Sequence, residues 1–442
     1  MNIRLSDHFT YKKLAHFVLP SIIMMIFTSI YGVVDGLFVS NFVGKTAFAS
    51  LNFVTPFIMV LGGMGFMVGT GGSALVAREL GRGNREKADR YFTMMLIFTV
   101  LLGLVLTMGG LLFVRPISLM LGATEAMLED CVLYGSIVIS FTTAFMLQNV
   151  FQSFLVVAER PRLGLVFTVA AGVTNAILDA VFIIGFGWGL AGAALATGIG
   201  QCVGGLAPLV YFLRPGANLR LHKTGLEARP LLKACANGSS ELMSNISSSI
   251  VSMLYNFQLL RLIGEDGVSA YGVLMYVQFI FIAIAIGYAI GSAPIVSYHY
   301  GAQNHGELKN MLRKSVTLAA GSGVVLTALA LALAGPLAKL FVGYDPGLYA
   351  LTVHAFRLFA FSFLLAGFNI FASGFFTALN DGGVSATISF LRTLVFQALS
   401  VLLLPLILGI DGIWWAITVA EVFACLISVI FLAAKRKKYH YI

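Results

Sequence analysis

Residues 91–114 read YFTMMLIFTVLLGLVLTMGGLLFV and contain no charged side chain. As an α-helix, a stretch of this length crosses the ~30 Å hydrocarbon core of a bilayer. On both sides of it, apolar blocks of similar length follow one another along the chain, separated by short polar breaks. The pattern predicts an all-α integral membrane protein with twelve transmembrane helices. Their approximate ranges are 14–40, 47–76, 91–114, 128–157, 164–185, 189–213, 231–260, 268–298, 311–333, 348–378, 384–408 and 412–434.

The overall composition also excludes a water-soluble protein. Of the 442 residues, 59% are hydrophobic and only 11% are charged, whereas a soluble protein has roughly a quarter of its residues charged. The net charge of +9 would suggest nucleic acid in a soluble chain, but here the basic residues lie in loops, where they report orientation. The four isolated cysteines indicate neither a disulfide framework nor a metal site. We therefore expect a lipid bilayer around the chain and no nucleic-acid partner.

The loop charges alternate between the two sides of the predicted membrane. Lysine and arginine are concentrated in residues 78–90, 214–233 and 435–438, which fall on one side. Loops on the other side are richer in acids, as at 125–130 and 265–266. Because loops with an excess of Lys and Arg stay in the cytoplasm, this asymmetry predicts that both termini are cytoplasmic. An even number of spans is required for that arrangement.

The first half of the sequence matches the second half without gaps when Leu80 is laid over Tyr300, an alignment that we call the repeat register. In it Leu80-Gly-Arg-Gly-Asn84 lies over Tyr300-Gly-Ala-Gln-Asn304, and Pro116 lies over Pro336. Since each repeat holds six predicted spans, both halves enter the membrane in the same sense. The repeat predicts two six-helix lobes related by a pseudo-two-fold axis along the membrane normal, an arrangement known in secondary transporters. The predicted boundaries are 1–213 for the N-terminal lobe, 214–230 for a cytoplasmic linker and 231–442 for the C-terminal lobe.

Four acidic residues fall inside the predicted spans: Asp35, Asp179, Glu241 and Glu421. Placing a carboxylate at the centre of a bilayer costs at least ~2.5 kcal/mol on insertion scales. A residue that persists at such a cost is a candidate for function, although an acid near the end of a span can simply face water.

The two acids of the first half have polar neighbours at helical spacing. Asn175 and Asp179 are four residues apart and share a helix face, and so do Tyr31 and Asp35. Both acids are placed in the outer half of their spans, so they can meet in one pocket. Such a pocket suits a proton or a monovalent cation, with helix–helix hydrogen bonding as the alternative. Further polar groups of this pocket come from Gln148, Asn149, Gln152 and Thr197.

The second half does not repeat this pocket. In the repeat register, Asp35, Asn175 and Asp179 correspond to Tyr255, Val395 and Leu399. The acids of the second half, Glu241 and Glu421, are therefore candidates for binding substrate or a second-lobe ion. The basic residue Arg392, inside the eleventh span, either pairs with an acid or extends toward the cytoplasmic surface.

The sequence resembles the multidrug and toxic compound extrusion (MATE) family along nearly the whole chain. The most specific stretch is Asn175-Ala-Ile-Leu-Asp179, followed by Gly187-Trp-Gly-Leu-Ala-Gly-Ala-Ala-Leu-Ala-Thr197. Val34-Asp35-Gly36 and Leu80–Asn84 add to the resemblance. In that family the lobes enclose a V-shaped cavity, and influx of Na⁺ or H⁺ drives the export of cationic, amphipathic compounds.

The resemblance implies specific roles for several residues. Asp35, Asn175, Asp179 and Thr197 would form the first-lobe cation site, the only place where we expect a bound metal ion, a possible Na⁺. Glu241 would act in the second lobe, because some members use a carboxylate of the seventh span. The acid that some Na⁺-coupled members carry in the tenth span has no evident counterpart here.

The leading hypothesis is a monomeric multidrug antiporter of the plasma membrane, in a bacterium the inner membrane, that exports cationic small molecules. Tyr31, Gln148, Asn149, Glu241 and Glu421 are its candidate substrate-binding or second-lobe ion residues, and no cofactor is expected. A lipid-linked saccharide flippase or a metabolite exporter on the same scaffold is the alternative. An enzyme is not expected because no convergent catalytic set is visible, and Gly44-Lys45-Thr46 lacks the preceding glycine of a phosphate-binding loop, since Val39 stands there.

Overall fold

The computed structural model describes residues 3–121, 123–214 and 216–442, and in these ranges the regular secondary structure is entirely helical. Residues 1, 2, 122 and 215, which fall in the predicted N-terminal lobe and linker, lie outside the described residues. The helices are α1 (Tyr11–Val43), α2 (Lys45–Gly81), α3 (Arg85–Met120), α4 in two segments (Glu125–Ser140 and Thr142–Val157), α5 (Pro161–Gly185), α6 (Gly189–Phe212), α7 (Ala228–Leu262), α8 (Glu265–Gly301), α9 (His305–Val342), α10 (Pro346–Ala378), α11 (Gly382–Leu408) and α12 (Ile410–Tyr439).

Each predicted span coincides with one of these helices. Among the described residues, ten helices are long and apolar enough to cross a membrane, and the two α4 segments, bent by 54°, form an eleventh span if taken together. The remaining helix, α7, is continuous over 35 residues but is more polar, because residues 233–249 read KACANGSSELMSNISSS. The described residues thus support ten or eleven spans, and the twelfth stays a prediction.

The backbone repeats in the register found in the sequence. Gly44 and Gly264, which coincide in the repeat register, both precede a long helix with positive φ, at 130° and 91°. Gly189 and Gly409 form a second such pair, with φ of 56° and 62°. Because glycine lacks a Cβ, it enters this region without strain. The matched glycines therefore mark the same two turns in each half.

Both termini lie at the same end of the molecule, which we call the terminal end. Phe9, before α1, and Tyr441, after α12, are fully buried in one apolar cluster together with Phe375 of α10. The backbone amide of Phe9 donates to Oε1 of Glu307 in the second half, 2.9 Å away. The backbone amide of Leu5 donates to Oε1 of Glu159 in the first half, 2.7 Å away. The N-terminal segment thus joins the two halves.

The halves also meet through close helix crossings near this end. A Cβ on Gly81 of α2 would overlap the carbonyl oxygen of Tyr298 in α8, and one on Gly301 of α8 would overlap that of Arg78 in α2. The two contacts are reciprocal in the repeat register, as the predicted two-fold axis requires. Glycine at such crossings lets helix backbones approach closely. The crossing of α2 and α8 therefore closes the cleft between the halves at the terminal end.

Candidate ion and substrate site

The candidate ion site lies between α1, α4, α5 and α6 of the first half, away from the terminal end. Its two acids each come just before a π-helical turn: Asp35 precedes Val39–Val43, and Asp179 precedes Ala180–Gly185. π-helical turns are rare overall, and those that occur are frequently at functional sites. The carboxyl of Asp35 faces the carboxyl of Asp179. The predicted meeting of these two acids is observed.

Neutral polar groups surround the two carboxyls. The Thr197 hydroxyl donates to Oδ1 of Asp35 over 3.4 Å, and Nδ2 of Asn175 approaches the Thr197 hydroxyl at 3.5 Å. The Asn175 amide also lies against the Asp35 carboxyl. All four residues that the resemblance implicates are therefore in one cluster, which we call the first-half cluster: Asp35, Asn175, Asp179 and Thr197.

The first-half cluster has two acids and no basic partner among the described residues. Asp179 is completely buried, and neither of its carboxyl oxygens makes a hydrogen bond within the described residues. None of the ion pairs formed by the described residues involves Asp35 or Asp179. Two carboxylates that face each other in a buried site cannot both stay ionised without a compensating charge. The geometry can therefore take up a proton or a small cation.

A tyrosine that the sequence reasoning missed belongs to this site. Tyr134, in the first segment of α4, is buried, and its hydroxyl lies beside Thr197 and near both Asp35 and Asp179. Nothing in the sequence separates Tyr134 from the other tyrosines of the chain. Its position results from the bend of α4, which tilts the first segment toward α6.

Some of the remaining polar candidates of the first half lie near the first-half cluster, and others point away from it. The Tyr31 hydroxyl lies against the side-chain amide of Gln148 and close to Asp35, so both residues extend the first-half cluster toward α4. Asn149 points elsewhere: its Nδ2 donates to the backbone oxygen of Gly62 in α2, 3.1 Å away. Gln152 is also buried, and its Oε1 makes no hydrogen bond among the described residues.

Glu241 lies in α7, apart from the first-half cluster. Its side chain is partly exposed, and the described residues offer its carboxyl neither a hydrogen bond nor an ion pair. The next residue, Leu242, and Asn245 one turn on, both face Gly63 of α2 across the boundary between the halves. Glu241 is thus next in sequence to a contact between α7 and α2 at the boundary between the halves.

Glu421, on α12, has a basic partner. The guanidinium of Arg392 donates from Nη2 to Oε1 of Glu421 over 2.8 Å, and from Nε to both carboxyl oxygens over 3.0 Å. Of the two alternatives for Arg392, pairing with an acid is therefore the one observed. Asn369 of α10 completes the group, with Nδ2 at 2.7 Å from Oε2 of Glu421.

Sequence comparison relates this chain to known transport proteins. The MatE family model matches residues 20–181 and 242–402. The Multidrug export protein MepA of Staphylococcus aureus (strain MRSA252) is 22% identical over 433 residues, which cover 97% of this chain and 94% of that protein. The Multidrug export protein MepA of Staphylococcus haemolyticus (strain JCSC1435) is 22% identical over 432 residues, with the same coverage.

Solved structures show the same fold. The "Outward-facing conformation of a multidrug resistance MATE family transporter of the MOP superfamily" superposes with a TM-score of 0.90 at 22% identity, covering 96% of both chains. A MOP superfamily transporter from Pyrococcus furiosus, for which reverse polarity of the binding pocket suggests a different function, gives a TM-score of 0.88 at 22% identity over 96% of this chain and 95% of that one. The family match, the relatives and the long apolar helices indicate a multi-pass membrane transporter. The chain belongs to the MatE family.

Proposed function

We propose that this protein is a secondary active antiporter that exports amphipathic, mostly cationic small molecules in exchange for H⁺ or Na⁺. The observation that carries the proposal is the pair of facing carboxyls of Asp35, which is partly exposed, and Asp179, which is completely buried. Neither carboxyl has a basic partner among the described residues. A site of this kind binds a positive charge in one step of a cycle and gives it up in another. Coupling to an ion gradient needs that property.

Asp35, Asn175, Asp179 and Thr197 are the proposed coupling residues. Carboxylate, amide and hydroxyl oxygens suit a hard monovalent cation, and the same carboxyls can hold a proton. No group of three or more His, Cys, Asp or Glu residues converges anywhere in the described ranges.

The substrate is proposed to bind in the cleft between the halves. Glu241 borders this cleft with a free carboxyl and would select positively charged compounds, while Tyr31 and Gln148 offer polar contacts near the first-half cluster. Asn149 is less suited, since its amide is used in bracing α4 against α2. The names of the curated relatives, which are multidrug export proteins, support this substrate class and a non-enzymatic role.

Alternating access would require the two halves to separate at the terminal end. The glycine crossings of α2 with α7 and α8 bury that end in the form described here. Binding of an ion or a substrate changes the balance between two forms only if it binds one of them more tightly. The first-half cluster lies away from the terminal end. Ion binding at this cluster would therefore stabilise the form that is open at the end opposite to the terminal end.

A lipid-linked saccharide flippase or a metabolite exporter is the alternative on this scaffold. The relative from Pyrococcus furiosus shows that the fold occurs with a pocket of different polarity. A flippase would need basic groups in the cleft to bind pyrophosphate. Arg392, the basic residue found deep in the second half, is already paired with Glu421. The charge distribution therefore favours cations.

The deciding experiment is efflux of a fluorescent lipophilic cation from energised cells under imposed Na⁺ or pH gradients. We expect Asp179→Asn to abolish gradient-driven efflux, because it removes half of the facing carboxyl pair. The gradient that drives the wild type identifies the coupling ion. Asp266→Asn is the matched control, since Asp266 is exposed at the start of α8.

Unchanged efflux by an Asp179→Asn protein that is made and inserted would remove Asp179 from the coupling step. If the wild type itself fails to export lipophilic cations under either gradient, the flippase or metabolite-exporter alternative gains support.

A further inference from the structure

The second half contains a buried ion pair that the proposed transport cycle does not yet use. The side chains of Arg392 and Glu421 are only 11% and 2% exposed. Three donor–acceptor distances of 2.8 to 3.0 Å join the guanidinium to the carboxylate. Arg392 lies inside a π-helical turn of α11, Leu391–Phe396. Charged groups this deep in a transmembrane segment are costly and are rarely present without a function.

The group around Glu421 resembles the first-half cluster in composition. Each combines a carboxyl with an asparagine amide: Asn369 donates to the buried Glu421, and Asn175 lies against the partly exposed Asp35. Asn369 is completely buried, and its Oδ1 makes no hydrogen bond among the described residues. Both groups thus have the carboxyl and amide oxygens of a small cation site. In the second half the positive charge comes from Arg392, whereas in the first half no basic side chain among the described residues supplies one.

The repeat shows that the scaffold does not require this ion pair. In the repeat register, Arg392 corresponds to Gly172 and Glu421 to Gln201, whereas Asn369 corresponds to Asn149. The first half therefore packs the equivalent helices with neither charge. A general need to hold these helices together does not explain why the second half has both an acid and a base.

The charged and titratable groups at Glu421 are few. Arg392 faces it from α11, and Cys425 lies one turn along α12. The contribution of α10 is the neutral Asn369. Glu241, the acid of α7, forms no ion pair with either Arg392 or Glu421 in the described structure. An arginine side chain stays protonated under all ordinary conditions, so the positive charge at Glu421 cannot leave by deprotonation.

We propose that Arg392 is a tethered cation that permanently occupies the carboxylate site of the second half, so that the exchangeable coupling ion binds only in the first half. This inference rests on the proposed ion-coupled function. In this proposal the charge of Arg392 neutralises Glu421 throughout the transport cycle. Glu241 is then the acid of the second half's membrane spans that has no basic partner among the described residues. Arg392 is a positioning and charge-balancing residue, and it contacts neither substrate nor coupling ion.

The test is cation rescue of purified Arg392→Ala, read as the midpoint of thermal unfolding in detergent without any drug. The truncation leaves a carboxylate with an empty cation position. We expect a lower midpoint than that of the wild type, and recovery of about half or more of the loss with saturating methylguanidinium, which binds the folded form. Tetramethylammonium carries the same charge without N–H donors and should restore much less. The wild type, whose site is filled, should not respond to either cation.

Two further variants locate the response. Arg392→Ala combined with Glu421→Gln should lose the methylguanidinium response, because the carboxylate is gone. Arg392→Ala combined with Asp179→Asn should keep it, because the site belongs to the second half. Equal recovery with both cations, or recovery that persists without the Glu421 carboxylate, would overturn the proposal and leave Arg392 with a packing role.

If Arg392→Ala does not fold, neutral variants of similar size decide the question. The double variant Arg392→Gln/Glu421→Gln should be more stable than Arg392→Gln alone, because the single change leaves a buried charge without a partner. The double variant should also keep gradient-driven efflux, whereas Asp179→Asn should lose it. Equal midpoints, or a folded double variant that has lost coupling, would contradict a fixed, non-exchanging charge. Efflux retained by Asp179→Asn would instead count against the proposed function.

Discussion

The two halves of this transporter have the same helical frame but different charged residues within it. The first-half cluster joins two acids, Asp35 and Asp179, with no base among the described residues. The second half joins one acid, Glu421, with one base, Arg392. A site with excess acid can exchange a proton or a cation, whereas a paired site is already neutral. The duplicated frame therefore carries an excess of acid in one half and a neutral pair in the other, and the proposed ion exchange uses the first of these.

The residues of the second half that stand at the positions of Asp35 and Asp179 also differ in charge from those of the first half. Tyr255 stands there in α7, and its ring stacks on Tyr271 of α8 with centroids 4.8 Å apart and planes at 9°. Leu399 stands at the position of Asp179, with 49% of its surface exposed. An aromatic pair and an aliphatic side chain therefore replace the two facing carboxyls. Neither of these two positions in the second half therefore carries a carboxyl.

The largest expected effect comes from removing one carboxyl of the first-half cluster. Asp35→Asn and Asp179→Asn should each lower the initial rate of gradient-driven efflux more than about tenfold, which corresponds to ~1.4 kcal/mol or more. Because the two groups act as one unit, the double variant should be no worse than the worse single variant. Efflux rates of the three variants, normalised to protein in the membrane, measure this coupling.

The comparison variant for Asp35→Asn and Asp179→Asn carries matched changes in the second half. Glu421→Gln combined with Arg392→Gln removes a carboxylate and its base from a site of similar burial, and it should leave the ion dependence unchanged. If the effects of Asp35→Asn and Asp179→Asn simply add, the two carboxyls act independently, and the facing pair is not the coupling site.

A smaller effect is expected at Glu241, on the cleft side of α7. Glu241→Gln should raise the half-saturating concentration of a cationic substrate by about threefold to tenfold, since a partly hydrated charge contact is worth ~1 kcal/mol. A neutral substrate of similar size should be exported as by the wild type. Half-saturating concentrations in membrane vesicles check both statements.

The control for Glu241 is Glu265→Gln, because Glu265 is exposed in the first turn of α8. An equal loss of affinity for neutral and cationic substrates would assign Glu241 a structural role in place of charge selection.

Much of the fold could be predicted from the sequence because the bilayer imposes a simple pattern. Apolar blocks of about 20 residues mark helices that must satisfy their own backbone hydrogen bonds, and each predicted range coincides with an observed helix. The apolar pattern is weakest at α7, whose residues 233–249 are mostly polar or small. Those residues face α2 across the halves, as at Gly238 and Met67, and so they do not need to be apolar.

The candidate site could be predicted only where helical spacing carries the information. Asn175 and Asp179 share a face because they are four residues apart. Gln148 and Asn149 are adjacent, so on a helix they point ~100° apart, and the structure sends one toward Tyr31 and the other toward Gly62.

Two features of the structure could not be predicted from local sequence patterns. One is the location of Tyr134 at the first-half cluster, and the other is the identity of the acid that pairs with Arg392. The bend of α4 places Tyr134 at the first-half cluster. The turn Leu391–Phe396 lies at the point where Arg392 reaches Glu421 on another helix. Neither a helix bend nor a π-helical turn follows from the spacing of apolar residues.

The smallest effect is expected at Tyr255, the residue of the second half that stands in the place of Asp35. Its hydroxyl is buried near the backbone of Ile417 without hydrogen-bonding geometry. A buried hydroxyl without a partner costs stability, so Tyr255→Phe should leave efflux unchanged and alter the free energy of unfolding by no more than ~1 kcal/mol, in the stabilising direction. Thermal midpoints and efflux rates of the purified and cell-expressed variant test this.

The matched change in the first half is Tyr134→Phe, which also removes one buried tyrosine hydroxyl. That hydroxyl lies beside Thr197 and near the two carboxyls, so its loss should alter the ion concentration at which efflux is half-maximal, whereas Tyr255→Phe should not. If Tyr255→Phe changes the ion dependence as much as Tyr134→Phe, the second half takes part in ion exchange at the position equivalent to Asp35. The division of labour between the halves would then be wrong, whatever the ion pair of Arg392 and Glu421 does.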